Sequence, residues 1–210
     1  MSDKTEREGG HTRNTASILL VISGPSAVGK DAVMAGLKKA LPSAHFVTTA
    51  TTRPPRPGER DGVDYHFLSD ERYDQLLAED GFLEHASVYR QRSGVPRREV
   101  EEALRRGQDA IVRVDVQGAA TLKKLIPDAI LVFLAPESQD ELQRRLRERA
   151  TDRGIDLRVR LDTAAREMAQ EGAFDYVVVN AEGRLADTIS RIVSIVEAEK
   201  RRRGRPSPPT

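Results

Sequence analysis

Cysteine is absent from this chain of 210 residues. Its absence excludes a disulfide framework and a thiolate metal site, and the expected compartment is the cytoplasm. Also missing is any apolar run near the roughly 20 residues that a bilayer-spanning helix needs, so no membrane partner is expected. The opening residues, "MSDKTEREGGHTRNTAS", carry mixed charge and no apolar stretch, which argues against a signal peptide. An excess of one charge is lacking too: 34 basic residues face 33 acidic ones, for a formal net charge of +1. Abundant but balanced charge suits a well-solvated globular surface rather than a strongly basic nucleic-acid binder. No internal repeat is visible, which excludes solenoid arrays.

What is present is an alternation. Short apolar runs stand at "ILLVI" (Ile18 to Ile22), "AIVRVDV" (Ala110 to Val116), "AILVFLA" (Ala129 to Ala135) and "YVVVN" (Tyr176 to Asn180). Amphipathic stretches lie between them: "DAVMAGLKKAL", "RREVEEALRRG", "QGAATLKKLI", "SQDELQRRLRERA" and "RVRLDTAAREMAQEG". Strand alternating with helix predicts a parallel sheet with helices on both faces, an α/β three-layer fold. Residues 48–95, rich in Thr, Arg, Pro and Gly, read as an inserted subdomain. Residues 145–161 carry six arginines, at Arg145, Arg147, Arg149, Arg153, Arg158 and Arg160, and read as a lid. The core is expected over 17–47, 96–144 and 162–200. Residues 1–16 read as a disordered extension, and 201–210 as a basic, Pro-rich tail with a solubilising role.

The chemistry starts at Gly24-Pro25-Ser26-Ala27-Val28-Gly29-Lys30-Asp31, which follows the first apolar run and precedes a helix. Gly-x-x-x-x-Gly-Lys in that setting is the signature of a phosphate-binding loop. Its glycines let backbone N–H groups turn inward, and the helix N-terminus adds its positive end. Lys30 is expected to reach the β- and γ-phosphates of ATP. Asp31 stands where the motif carries the hydroxyl that ligates Mg²⁺. Three readings are open: a carboxylate ligand for Mg²⁺, which is favoured; an acid that suits the helix start; or the mark of a site without metal chemistry.

A second anion site is expected downstream. In "TATTRPPRPGERDGVDYHF" (Thr49 to Phe67), Arg53 and Arg56 lie three apart among prolines, so that their forks can converge on one phosphate, and Tyr65 adds a hydroxyl. Glu84 follows Phe82-Leu83, and Asp115 lies inside an apolar run, where an acid needs a partner.

Together, "GPSAVGK", "TATTRPPRPGERDGVDYHF", "FLEHA", "VDVQGA" and "FDYVVVN" resemble guanylate kinases in order and spacing, from about Ile18 to Lys200. The resemblance implies a P-loop fold with a GMP-binding subdomain and a helical lid, and phosphoryl transfer from ATP to GMP with Mg²⁺. By position it implies that Arg53, Arg56 and Tyr65 bind the GMP phosphate. Thr49, Glu84 and Asp115 would read guanine, whose N1 and N2 donors suit carboxylates. Arg145, Arg149 and Arg160 would close over the transferring phosphoryl, and Asn180 would lie near the adenine pocket.

Four departures from the family pattern stand out. The loop ends in Asp31. Ser93-Gly94-Val95 replaces Tyr-Gly-Thr or Tyr-Gly-Ser, which removes a phosphate-contacting tyrosine; Arg90 or Arg92 is expected to compensate. Arg113 stands where the strand usually has the first acid of Asp-x-Asp, so Asp31 and Arg113 look like a compensated exchange. Ala150 replaces a lid glycine. Two rivals follow. Ribose 1,5-bisphosphate phosphokinase carries "GKD" in its loop but lacks the "RPPRPGE…DYHF" block. A guanylate-kinase-like binding module would have lost the ATP chemistry that Lys30 and the lid arginines imply.

Overall fold

The apolar run after residue 18 forms strand β1 (Leu19–Ser23), buried along its whole length. The structure, a computed structural model, describes residues 17–88, 91–148 and 157–204. The expected N-terminal extension, and 205–210 of the expected tail, lie outside the described residues.

β1 sits at the centre of a five-stranded parallel sheet. Its neighbours are β7 (Ala110–Arg113) and β8 (Ile130–Ala135); β2 (His45–Phe46) and β9 (Tyr176–Val179) are the edges. A strand covered on both faces needs apolar side chains at every position, which is why β1 and β8 read as unbroken hydrophobic runs. Successive residues of β1 enter different cores. Leu20 and Ile22 pack with α1 (Lys30–Ala40) and α7 (Leu185–Arg203) through Val33, Leu37, Ile192 and Val196. Leu19 and Val21 pack with α3 (Arg97–Arg105) and α4 (Val116–Leu125) through Val100, Ala103, Ala119 and Leu122. The expected α/β architecture with a central parallel sheet is therefore the observed one.

Three details differ from the sequence reading. β2 has only two residues and no apolar run to announce it. The run expected as a strand through Val116 leaves the sheet after Arg113. Asp115 is the N-cap of α4, its carboxylate accepting the Gly118 N–H at 2.7 Å. The acid thus finds its partner in a helix terminus, not inside a strand. Helix α7 runs to Arg203 rather than ending near Lys200, so the first residues of the expected tail are helical. Arg202 pairs with Glu199 at 2.7 Å and Arg203 donates to the Asp128 carbonyl, and cations suit a helix C-terminus.

A second sheet, ordered β4-β3-β6-β5, comes from residues 50–96. Its strands are β3 (Ala50–Thr51), β4 (His66–Phe67), β5 (Phe82–Val88) and β6 (Gln91–Pro96). Helix α2 (Asp70–Ala78), capped by the Ser69 hydroxyl, covers it. Tyr73, Phe82 and Ala50 form its own small core. Glu99 of α3 ties the two sheets together. It accepts the Thr48 N–H at 2.9 Å and faces His45 of β2 at 3.2 Å and His66 of β4 at 2.7 Å. Finally, α5 (Gln139–Glu148) and α6 (Leu157–Met168) pair through Leu142, Leu146 and Ala164, and Ala27 of the loop after β1 packs into the same cluster.

Candidate nucleotide-binding site

The loop between β1 and α1 is built by close packing. Gly24 has φ +138°, and a Cβ there would stand 2.4 Å from the Leu134 carbonyl oxygen of β8. Gly29 has φ +100°, and a Cβ there would stand 2.6 Å from the Asn180 amide nitrogen. Only glycine meets both constraints. Between them Val28 is buried in the sheet core, and Ala27 takes a left-handed conformation. Pro25 and Ser26 complete the turn. Lys30 opens α1 and its ammonium donates to the Gly24 and Pro25 carbonyls at 2.5 and 3.0 Å. Burial pulls its pKa down, partly offset by Glu167, Asp31 and Asp115 nearby.

Two residues clamp the loop from outside. Asn180, buried after β9, donates to the Val28 carbonyl at 2.8 Å and accepts from the Thr188 hydroxyl at 3.0 Å. Arg145 of α5 donates to the same Val28 carbonyl at 3.1 Å and is oriented by Glu141. The resemblance suggested an adenine-pocket role for Asn180; its contacts show it bracing the loop. Arg160 is buried on α6. Arg149 and Ala150 lie outside the described residues.

Facing Lys30 is a cleft of about 190 Å³, lined among others by Thr49, Tyr65, Glu84, Ser93, Arg113 and Asp115. Lys30 of the loop and Thr49, Tyr65, Glu84 and Asp115 thus line one cavity, whereas Arg53, Arg56, Arg145, Arg160 and Asn180 are not among its lining residues. Glu84 of β5 is only 5 % exposed. Its carboxylate lies against Gly118 at the start of α4, where a Cβ would come within 2.8 Å of Oε1. Burial, with Asp115 adding repulsion, pushes the Glu84 carboxyl up to about 7. Such a buried acid has a ready use for a ligand that offers N–H donors.

The arginines are arranged less simply than their spacing suggested. Arg53 is buried and its fork grips Glu59 through two bonds of 2.6 Å. Its guanidinium also lies 4.7 Å from the Tyr65 ring centroid. Arg56 is exposed, and its backbone N–H donates to Glu59 at 2.8 Å. What Arg53 and the Arg56 backbone converge on is thus Glu59, and these hydrogen bonds hold its carboxyl down at about 2. The compensation expected from Arg92 is not seen. Strand alternation turns Arg92 away from Ser93's face, and its guanidinium pairs with Asp74 and lies 4.1 Å from the Tyr73 ring centroid. Arg90 lies outside the described residues.

Asp31 and Arg113 are joined in an ion pair. The exchange of charges seen in the sequence is therefore a physical pair linking α1 to the end of β7. Two acids escaped the sequence reading. Glu59 sits inside the "RPGER" turn and reads as one more loop charge. Glu167, on α6, accepts the Ser26 N–H at 2.9 Å, 141 residues away in sequence, and no local signal could announce it.

Comparison with known proteins agrees with this geometry. The guanylate kinase family model matches residues 16–199. The guanylate kinase of Mycobacterium bovis is 44 % identical over 180 residues, covering 85 % of this chain and 86 % of that protein. That of a Thermus thermophilus strain is 43 % identical over 187 residues, covering 89 % and 84 %. The chloroplastic/mitochondrial guanylate kinase 2 of Oryza sativa is 44 % identical over 184 residues; the match covers 87 % of this chain and 65 % of the longer plant protein. A crystal structure of guanylate kinase from Anaplasma phagocytophilum superposes with a TM-score of 0.71 at 31 % identity, covering 88 % of this chain and 86 % of that one. A match running through both sheets and the helices between them is more than a shared phosphate loop, and this chain belongs to the guanylate kinase family of nucleotide kinases.

Proposed function

We propose that the protein transfers the γ-phosphoryl group of ATP to GMP, giving ADP and GDP, and so serves guanine nucleotide supply in the cytoplasm. The observation that carries this reading is the buried Glu84 carboxylate in the cleft that also holds Lys30. Guanine brings N–H donors at N1 and N2 to such a group, whereas adenine presents an acceptor at N1 and is repelled. Ribose 1,5-bisphosphate has no base, and would leave Glu84 buried without a partner. A binding module without turnover has no need of a loop-bound Lys30 that faces the cleft.

The division of labour follows from position. Amides of the loop from Gly24 to Asp31, with Lys30, hold the ATP phosphates. Arg53, Arg56 and Tyr65 take the GMP phosphate, with Glu59 fixing the orientation of the Arg53 fork. Glu84, Thr49 and Asp115 read the base. Arg145 of α5 and Arg160 of α6, together with Arg149, meet the transferring group. The acceptor phosphate is already an anionic nucleophile, so the protein's task is to align two anions and neutralise charge.

Mg²⁺ fits this site as a passenger of the nucleotide. Among the described residues no group of three or more acidic or histidine side chains could hold a metal. Asp31 supplies one exposed carboxylate beside the loop, which suits an ion that binds one or two carboxylates and otherwise phosphates and water. When bound, Mg²⁺ would screen the charge of the ATP phosphates. A coupled assay with ATP and Mg²⁺ tests the function, with GMP, AMP and ribose 1,5-bisphosphate offered in turn. ADP release with GMP alone is expected; release with the sugar bisphosphate instead of GMP would refute it.

A further inference from the structure

Arg113 is the cation in this cleft to which neither the loop motif nor the GMP-binding block gives a task. It ends β7, and its side chain is 17 % exposed, while that of its partner Asp31 is 62 % exposed. The pair is therefore lopsided: the cation faces the cleft and the anion faces solvent. An exposed carboxylate holds a guanidinium weakly and leaves it available to a better-placed anion. Asp31 engages Nη1, and a guanidinium has five donors, so the fork can hold Asp31 and a phosphate oxygen at once.

The direction in which that anion lies is set by Tyr65. The Arg113 guanidinium stands 4.8 Å from the Tyr65 ring centroid, and that of Arg53 stands 4.7 Å from the same ring. One aromatic ring thus gathers two guanidinium groups from different sheets, Arg53 beside β3 and Arg113 from β7. Glu59 holds Arg53 and Asp31 holds Arg113, and each guanidinium keeps further N–H donors for an anion beside the ring. Lys30 lines the same cleft as Arg113, and Arg113 is close enough to help depress its pKa, so two cations face this space. Ser93 lines that wall with a small side chain, leaving room where the family carries a tyrosine.

We propose that Arg113 is a ligand of the acceptor's phosphate monoester, reaching it from the core sheet beside Tyr65, with Asp31 as the counter-ion that holds its fork between donor and acceptor. The role lost with the tyrosine at position 93 is filled across the cleft, not from the neighbouring Arg92. The proposal rests on the GMP reading given above.

Direct titration of GMP into the protein, without ATP or Mg²⁺, tests it. Wild type, Arg113→Gln, Arg113→Lys and the double variant Asp31→Asn/Arg113→Gln are compared. Removal of a charged donor from a phosphate should weaken GMP binding by at least about tenfold in Arg113→Gln. The double variant should keep that loss. Arg113→Lys, which keeps the charge without the fork, should fall between, a loss of severalfold. Wild-type affinity in Arg113→Gln, or recovery of it in the double variant, would overturn the proposal: the second result means that Arg113 only neutralises Asp31. Should Arg113→Gln fail to fold, Arg113→Lys carries the test, and wild-type affinity there overturns it. Absence of GMP binding by the wild type itself would instead defeat the underlying functional reading.

Discussion

Glu84→Gln should stabilise the fold while it damages the site, and the two effects can be separated by pH. The buried Glu84 carboxyl has a folded-state pKa of about 7 against an ordinary 4.5. A raised carboxyl pKa means that the folded protein holds the proton more tightly than the unfolded chain. The associated stability is present below pH 4.5 and lost as the pH rises through 7. At pH 8, with the group ionised in both states, the whole difference is felt, about 3 kcal/mol. At pH 5 the folded protein keeps the proton while most unfolded chains have lost it, which leaves a gap of only about 1 kcal/mol. Glutamine is nearly isosteric with the protonated acid and removes the titration. Urea unfolding at pH 5, 6.5 and 8 should therefore show the variant gaining on wild type by roughly 2 kcal/mol across that range. A gap that does not change with pH would refute the reasoning, because its source is the ionisation of a desolvated Glu84 beside Asp115. The same variant should raise the KM for GMP by on the order of a hundredfold, since an amide presents a donor where guanine needs an acceptor. In the wild type, the KM for GMP should fall as the pH rises toward 7, because ionised Glu84 is the form that accepts the guanine N–H groups.

Glu59→Gln should loosen the Arg53 fork and raise the KM for GMP severalfold, while the KM for ATP stays within about twofold, as read by steady-state kinetics. Gly29→Ala places a Cβ 2.6 Å from the Asn180 amide at a φ of +100°. It should lose about 1–3 kcal/mol of stability by denaturant unfolding and most of its ATP binding by titration. Deleting residues 205–210 should leave both melting temperature and turnover unchanged. Deleting 201–210 also removes the pairing of Arg202 with Glu199 and the bond from Arg203, and should lower the melting temperature with kcat unchanged.

The layered fold was legible because its cause is local. A strand buried on both faces must be apolar at every position, so β1 and β8 could be read directly, and Gly-x-x-x-x-Gly-Lys between strand and helix carries its own backbone geometry. β2 was not legible, since two residues in an edge position need no pattern. Asp115 was misplaced by two residues because an N-cap acid and a strand acid look alike until the helix direction is known.

The sequence by itself determined the α/β class, the phosphate loop motif, several polar residues that line the cleft and the family these motifs resemble. Each of these depends on residue type and on spacing within one short segment. Tertiary structure alone decided which groups meet. It turned Arg92 away from the cleft, put Glu59 rather than a second guanidinium on Arg53, brought Glu167 to the Ser26 amide, and joined Asp31 to Arg113 across 82 positions of chain. Charge pairs of this kind depend on distance and burial after folding, and those are properties of the packed sheet, not of any segment.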